Sequence, residues 1–339
     1  MPETPLLDAR EVSKTFSSTQ AIKNLSLTLP PGESMAIVGP SGAGKTTLLR
    51  LLAGLESPDR GWIALSGQKL EDPSEQLIPG NKAIRMVHQS FDLAANRTVE
   101  GNVDMLLRAY TAEYRREETA RLLKAVRLNH IATQPVHTLS GGEKQRLALA
   151  RALADESLLI LMDEPLSQQD ALLKAHLYHI IRDEVSMAGK GMIVVTHDPR
   201  EAMAVGHRVG VLIDGKLVQT DSPQILYEQP ATEEVAGLMG GISILENERW
   251  LSLTKGEALP AGPGKVSGYR PESLTVKPLS HGPFTIERIT YQGAFSEIEV
   301  ISEDVTLLIR TTNKRLSTGQ KVNVYRKNKS MISFPDREK

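Results

Sequence analysis

The sequence predicts an α/β fold with a parallel sheet, followed by a smaller all-β domain. Over the first 240 residues, short apolar segments alternate with helical stretches, which is typical of a parallel α/β core. In the last 100 residues the apolar positions alternate instead, and this part holds seven of the 14 aromatic residues. The change of period predicts two domains of different class.

Three apolar segments are the predicted parallel strands, namely SMAIV (34–38), LLILM (158–162) and GMIVVT (191–196). LLILM is apolar at every position, as expected when both faces of a sheet are covered. A helix is predicted to follow the first strand and to end at Gly54. Residues 208–220 read as a hairpin around Asp214-Gly215, because Asp-Gly readily adopts the positive φ angles of a type I′ turn.

The domain boundary is placed near 237–243, where paired glycines interrupt the chain. Up to Met239 the chain has 25 basic and 30 acidic residues, and from Gly240 it has 15 and 11. Alternating pairs such as Ile298 and Val300 predict half-buried strands beyond the boundary. The predicted domains are 1–239, with a helical subdomain at about 90–150, and 240–339.

Composition excludes several classes of protein. The net charge of −1 gives no global attraction to nucleic acid or anionic lipid, so no nucleic-acid partner is expected. The absence of cysteine excludes disulfides, thiol catalysis and Cys-ligated zinc. The longest apolar segments fall short of the roughly 18–20 residues that span a bilayer, and MPETPLLDAR lacks the features of a secretory signal. We therefore expect a protein kept in the cytosol.

The segment after the first strand fits the phosphate-binding pattern G-x-x-x-x-G-K-[ST]. Its glycines allow consecutive N–H groups to point at phosphate oxygens at a helix N-terminus. The lysine supplies a point charge to the β- and γ-phosphates, and the hydroxyl that follows it can ligate Mg²⁺. The candidate nucleotide-binding residues are Gly39, Pro40, Ser41, Gly42, Ala43, Gly44, Lys45, Thr46 and Thr47.

LLILM runs directly into Asp163-Glu164-Pro165. Carboxylates at the carboxyl edge of a parallel strand face the ligand crevice of an open α/β sheet. Asp163 is the predicted Mg²⁺ ligand opposite Thr46, and Glu164 is the predicted general base for the attacking water.

A second glycine motif, LSGGEKQR, opens a predicted helix. Ser140 and Glu143 form a capping box, which explains those two residues. It does not explain Gly141 and Gly142, which lower helix stability in the first turn. Their small size permits close approach to the backbone, and the bare N–H groups suit a second contact with an anion.

These three motifs, in this order and spacing, resemble those of the ATP-binding-cassette (ABC) ATPases over about residues 5–240. The resemblance implies that ATP is held by the phosphate loop of one copy and the LSGGE turn of a second, antiparallel copy. It also implies that Gln89 contacts Mg²⁺ and water, and that His197 lies beside the γ-phosphate. Further implied nucleotide contacts are Phe16, as an adenine-stacking aromatic that could equally be strand core, and Asp170. The family usually has Ala-Leu where this chain has Gln168-Gln169.

GYRPESLTV (268–276) is similar to the start of the OB-like transport-associated domain of importer ATPases. The two resemblances together imply an ATP-hydrolysing importer subunit that uses ATP and Mg²⁺. It would form a homodimer on the cytoplasmic face of the inner membrane, bound to two permeases and served by an extracytoplasmic substrate-binding protein.

A soluble ATPase acting on DNA or ribosomes and an exporter ATPase remain alternatives. The cargo stays open among ferric iron, polyamine, phosphonate, sulfate and sugar.

Overall fold

A computed structural model describes residues 4–77, 79–87, 92–254, 266–303, 305–327 and 331–334. The chain forms two compact units, Met1–Pro223 and Gln224–Lys339. The division after Pro223 lies earlier in the chain than the boundary predicted at 239/240. That boundary stays a prediction.

The first unit contains two sheets and the helices around them. Its strands are β1 (Leu7–Phe16), β2 (Thr19–Leu29), β3 (Ser34–Val38), β4 (Arg60–Leu65), β5 (Gln68–Lys69), β6 (Ile84–Val87), β7 (Leu159–Asp163), β8 (Gly191–Thr196), β9 (Arg208–Ile213) and β10 (Lys216–Asp221). Its helices are α1 (Lys45–Leu52), α2 (Val99–Asp104), α3 (Ala112–Ala125), α4 (Gly141–Ala154), α5 (Ala171–Met187) and α6 (Pro199–Val205).

The central sheet has the strand order β10-β9-β3-β8-β7-β6. Strands β9, β3, β8, β7 and β6 pair in parallel, while β10 is antiparallel to β9. The three predicted parallel strands are therefore confirmed, and the structure adds that β8 lies between β3 and β7. Their buried apolar residues pack with α1 and with a second, antiparallel sheet of order β2-β1-β4-β5. The parallel arrangement brings the carboxyl ends of β3, β7 and β8 to one edge.

Two predicted chain reversals have the expected backbone. Just after the C-cap of α1, Gly54 has φ 69°, and hydrogen bonds from its N–H to the Leu51 carbonyl and from the Leu55 N–H to the Arg50 carbonyl complete a Schellman motif. Between β9 and β10, Asp214 and Gly215 have φ of 47° and 77°, as a type I′ turn requires. Both reversals can be predicted from the sequence, because glycine and residues with short polar side chains favour the positive φ angles that they need.

Within the helical region between β6 and β7, a buried polar contact joins α2 to α4. The Asn102 side chain accepts a hydrogen bond from the Arg151 guanidinium at 3.0 Å, and both residues are buried. Asn102 also bonds to the backbone of Ala94 and Thr98. Burial lowers the pKa of Arg151 from its usual value. These contacts fix α2 against α4, while the helical subdomain at about 90–150 stays a prediction.

The second unit is mainly antiparallel β structure, as predicted. Its elements are α7 (Pro223–Glu228), which begins at the end of the first unit, α8 (Glu233–Met239), β11 (Ser243–Glu246), α9 (Asn247–Thr254), β12 (Val266–Tyr269), β13 (Leu274–Pro278), β14 (Phe284–Tyr291), β15 (Ser296–Ser302), β16 (Val305–Thr311), β17 (Lys321–Arg326) and β18 (Ile332–Phe334). The strands form sheets of order β11-β12-β18 and β13-β17-β14-β15-β16. The predicted alternation is confirmed, because Ile298 and Val300 are fully buried.

Arg270 joins α7 and α8 to the strands of the second unit. Its buried guanidinium donates to the carbonyls of Tyr227, Ala236 and Gly240 at 2.8–2.9 Å. It also lies 4.1 Å from the centroid of the Tyr227 ring. These bonds explain why residues 224–239 pack with the β unit although their helical pattern resembles that of the first. Among the described residues, no helix combines the length and apolar character needed to cross a membrane.

Candidate nucleotide-binding site

The phosphate loop lies between β3 and α1, and two of its glycines lie too close to neighbouring backbone for any side chain to fit. Gly44 has φ 99°, and a Cβ atom there would lie 2.4 Å from the Ala21 carbonyl oxygen. A Cβ at Gly39 would lie 2.1 Å from the Leu212 oxygen. The loop is thus enclosed by β2 on one side and the end of β9 on the other. Any side chain at these positions would push the loop away from its neighbours.

Lys45 lies under the loop. Its ammonium donates to the carbonyls of Gly39 and Pro40 at 2.8 and 2.9 Å, and only 8% of the residue is exposed. Burial lowers the pKa of Lys45, and the carboxylates of Glu164 and Asp163 oppose this by favouring the charged form. A polyphosphate bound in the loop would add negative charge beside the ammonium and stabilise it further.

The carboxylates that end β7 face the loop. Thr46 donates its hydroxyl hydrogen to the Asp163 carboxylate at 2.9 Å across 117 residues of sequence. Glu164 follows at φ 47°, and its N–H donates to the Val195 carbonyl at 2.9 Å. A positive φ is uncommon for a non-glycine residue. The structure thus brings both carboxylates of the predicted pair to the loop.

His197 follows β8 and meets Glu164. Its Nδ1 lies 2.8 Å from the Glu164 Oε1 atom, and 65% of the imidazole side chain is exposed. The turn below it is fixed by Glu201, which accepts hydrogen bonds from Thr196 and Tyr178 at 2.8 and 3.0 Å. Glu201 also accepts from Lys174 at 2.6 Å. This support holds the His197 backbone while leaving its ring accessible to a ligand.

A cleft of about 480 Å³ contains this site. The loop residues that line it, together with Asp163 and Glu164, are Ser41, Gly42, Gly44, Lys45, Thr46 and Thr47. Its other lining residues were not predicted from sequence, and they are Thr19, Gln20, Ala21, Lys23, Asp214 and Gly215. The β9–β10 turn reaches the loop because Gly215 donates to the Ala43 carbonyl at 3.1 Å and accepts from Lys23 at 2.8 Å. The Asp-Gly pair signals a turn, but no local pattern indicates which surface that turn contacts.

The LSGGE turn does not line this cleft in the described chain. Ser140 caps α4, and the predicted capping box is confirmed by Ser140 N–H to Glu143 at 2.8 Å and Glu143 N–H to Ser140 at 3.3 Å. The Ser140 hydrogen bonds lower the pKa of Glu143. Gly141 is exposed and Gly142 is half-buried. The turn therefore offers backbone N–H groups at a surface separate from the phosphate loop.

The remaining predicted residues have different positions. Phe16 ends β1 with 44% of its surface exposed, which argues against the alternative that it is strand core. Asp170 caps α5 by accepting from Leu173 N–H at 2.9 Å, so its carboxylate has a structural partner. Gln89 lies outside the described residues.

The donor set suits Mg²⁺ better than a transition metal. Over the described ranges there is no group of three or more His, Asp or Glu side chains that could hold a metal by itself. A hydroxyl and a carboxylate in contact, Thr46 and Asp163, supply the few oxygen ligands that Mg²⁺ takes when phosphates and water complete its shell.

Replacing Gly44 with alanine should reduce the free energy of unfolding more than replacing Gly42 with alanine does. The difference between the two losses should be about 1–3 kcal/mol. Both residues have positive φ, but a Cβ at Gly42 meets no atom within 4 Å, whereas one at Gly44 collides with backbone. Urea unfolding of the two variants measures the difference. Equal losses would show that the Ala21 contact does not constrain the loop.

Comparison with known proteins extends these observations. The ABC transporter family model matches residues 22–167. The Fe(3+) ions import ATP-binding protein FbpC 2 of Pectobacterium atrosepticum is 34% identical, over 94% of this chain and 97% of its own length. The sulfate/thiosulfate import ATP-binding protein CysA of Synechococcus elongatus is 34% identical, over 97% of this chain and 96% of its own.

The fold has solved counterparts. A dimeric structure of a post-hydrolysis state of an ATP-binding cassette bound to ADP and Pi is 31% identical, with a TM-score of 0.56, and covers 64% of this chain and 98% of that one. The match confirms the predicted ATPase fold of the first unit. The chain belongs to the ABC transporter family, as an ATP-binding and ATP-hydrolysing subunit of the import type.

Proposed function

We propose that ATP is bound and hydrolysed in the cleft between the phosphate loop and the carboxyl end of β7. The proposal rests on two hydrogen bonds near Lys45, one between Thr46 and Asp163 and one between His197 and Glu164. The loop N–H groups and Lys45 stabilise phosphate charge. Glu164 accepts the proton as a water oxygen bonds to the γ-phosphorus and the bond to the β-phosphate oxygen breaks. His197 orients the Glu164 carboxylate and faces the γ-phosphate.

Mg²⁺ fits the same edge of the cleft. Thr46 and Asp163 would hold it, and Gln89 is a further proposed ligand. When bound, the ion neutralises charge on the β- and γ-phosphate oxygens. Phe16 is proposed to stack on adenine, because it is an exposed aromatic at the end of β1.

We propose that two copies form a head-to-tail dimer with nucleotide at each interface. The phosphate loop and the LSGGE turn are separate surfaces of one chain, and each presents N–H groups suited to phosphate. A cassette that matches the first unit is dimeric in its solved structure. In this arrangement each site takes the loop from one copy and Ser140, Gly141 and Gly142 from the other.

The dimer is proposed to act on two membrane-spanning permeases at the cytoplasmic face of the inner membrane, supplied by an extracytoplasmic binding protein. Relatives of similar identity carry names for Fe(3+) and for sulfate/thiosulfate, a cation and an anion. Related ATPases are thus named for the import of chemically different solutes, which is expected if the ATPase subunit does not contact the transported solute. The cargo is therefore proposed only as a small solute.

Mixing two inactive variants tests the composite site. Lys45→Met removes the loop cation, and Ser140→Asp places a negative charge at the LSGGE turn while keeping a good N-cap. An equimolar mixture should regain about a quarter of wild-type ATP turnover, because random pairing makes about half of the dimers mixed and each mixed dimer has one intact site.

The neutral Ser140→Asn variant is the matched control, since it differs from Ser140→Asp only in charge at nearly the same shape. It should keep more activity alone than Ser140→Asp. If subunits exchange, as labelled protomers can show, yet the mixture stays as inactive as its components, the head-to-tail site is wrong.

A further inference from the structure

The segment between Glu164 and α5 is bonded to the first turn of α4. Gln169 donates from its amide nitrogen to the Gly142 carbonyl at 2.8 Å and to the Gln145 side chain at 3.1 Å. Its amide oxygen accepts from the Arg146 guanidinium at 2.9 Å. One side chain therefore contacts three residues near the start of α4, namely Gly142, Gln145 and Arg146.

Gln145 completes the connection from the other side. It is buried, accepts from the Gln168 N–H at 3.2 Å and donates to the Ser167 hydroxyl at 3.2 Å. The same segment starts at Glu164, whose carbonyl accepts from the Ser167 N–H at 3.3 Å. A continuous set of hydrogen bonds thus runs from the strand end that carries Glu164 to the LSGGE turn.

The two glycines of the turn leave room for these glutamine side chains. A Cβ at Gly141 would lie 2.2 Å from the Gln168 side-chain oxygen, and one at Gly142 would lie 2.9 Å from the Gln169 nitrogen. The capping box accounts for Ser140 and Glu143 only. The glycines admit the glutamine side chains against the helix backbone.

We propose that Gln169 is a positioning residue that fixes the LSGGE turn in the orientation needed to meet ATP on a second copy. The inference rests on the proposed head-to-tail dimer. Gln169 is not among the described residues that line the nucleotide cleft of its own chain. Its effect is therefore expected on closure of the dimer and not on ATP binding by the single protomer.

The test uses Gln169→Leu and Gln169→Glu in a Glu164→Gln background, which is expected to keep ATP bound because it lacks the proposed general base. Leucine removes all three hydrogen bonds at similar volume. Glutamate keeps the acceptor for Arg146 but turns an oxygen toward the Gly142 carbonyl and Gln145. The matched control is Gln76→Leu, which removes a half-buried glutamine bonded to Glu71 and Gly80, away from α4.

We expect both Gln169 variants to raise the protein concentration for half-maximal ATP-dependent dimerisation by about tenfold, the equivalent of one to two hydrogen bonds. The dissociation constant of ATP for the protomer, measured below the dimerisation range, should stay within about twofold of the parent. Gln76→Leu should change neither quantity. Sedimentation velocity with ATP and fluorescent nucleotide titration supply the two readouts.

Dimerisation of Gln169→Leu within about twofold of the parent would overturn the positioning role. Equal weakening of protomer ATP binding and of dimerisation would also overturn it, because that pattern indicates general destabilisation. A Glu164→Gln parent that does not dimerise with ATP would instead overturn the proposed dimer itself, so the two failures are distinguishable.

Discussion

Replacing Glu164 with glutamine should lower ATP turnover by about 10²- to 10⁴-fold, the range expected for loss of a general base. Glutamine keeps the shape and one acceptor oxygen but cannot take the proton from the attacking water. Lys45, Thr46 and Asp163 are unaltered, so ATP should still bind. Dimers with unhydrolysed ATP should therefore accumulate, as measured by phosphate release and by analysis of the retained nucleotide.

The matched control is Glu117→Gln, an exposed residue on α3. It changes the net charge by the same amount and should leave turnover unaltered. Wild-type turnover by Glu164→Gln would reject the assignment of the base. Loss of ATP binding in that variant would show instead that Glu164 holds the loop in place.

Replacing Lys45 with methionine should weaken ATP binding by about 10²-fold, corresponding to about 3 kcal/mol for a buried charged contact. Methionine retains the apolar stem but removes the ammonium that lies beneath the loop. Because burial lowers the pKa of Lys45, the apo protein gains little from the charge there. The loss should therefore appear in the dissociation constant for ATP more than in the free energy of unfolding.

Lys23→Met provides the comparison for this prediction. Lys23 also lines the cleft, and its backbone contacts the β9–β10 turn. General attraction between cations and polyphosphate would make both variants lose affinity equally. A loss in Lys45→Met at least about tenfold larger, by isothermal titration with ATP, would support a specific role for the loop lysine.

Sequence reasoning worked best where the chemistry is local. The loop glycines, the capping box and the Asp214-Gly215 turn each depend on the φ angles or side chains of a few consecutive residues. The same reasoning predicts a domain boundary near 240, which stays a prediction, and the structure groups residues from Gln224 with the β unit. The helical pattern of 223–239 gave no sign that Arg270 would bond to its carbonyls.

The sequence by itself determined the motifs that carry the chemistry, their order, and the family to which the chain belongs. Only the tertiary structure decided that Thr46 contacts Asp163, that His197 contacts Glu164, and that Gln169 is hydrogen-bonded to the turn after Ser140. Backbone preferences depend on a few consecutive residues, so a local sequence pattern is enough to predict them. Contacts between distant segments depend on strand order and helix packing, which many residues set jointly and no single motif encodes.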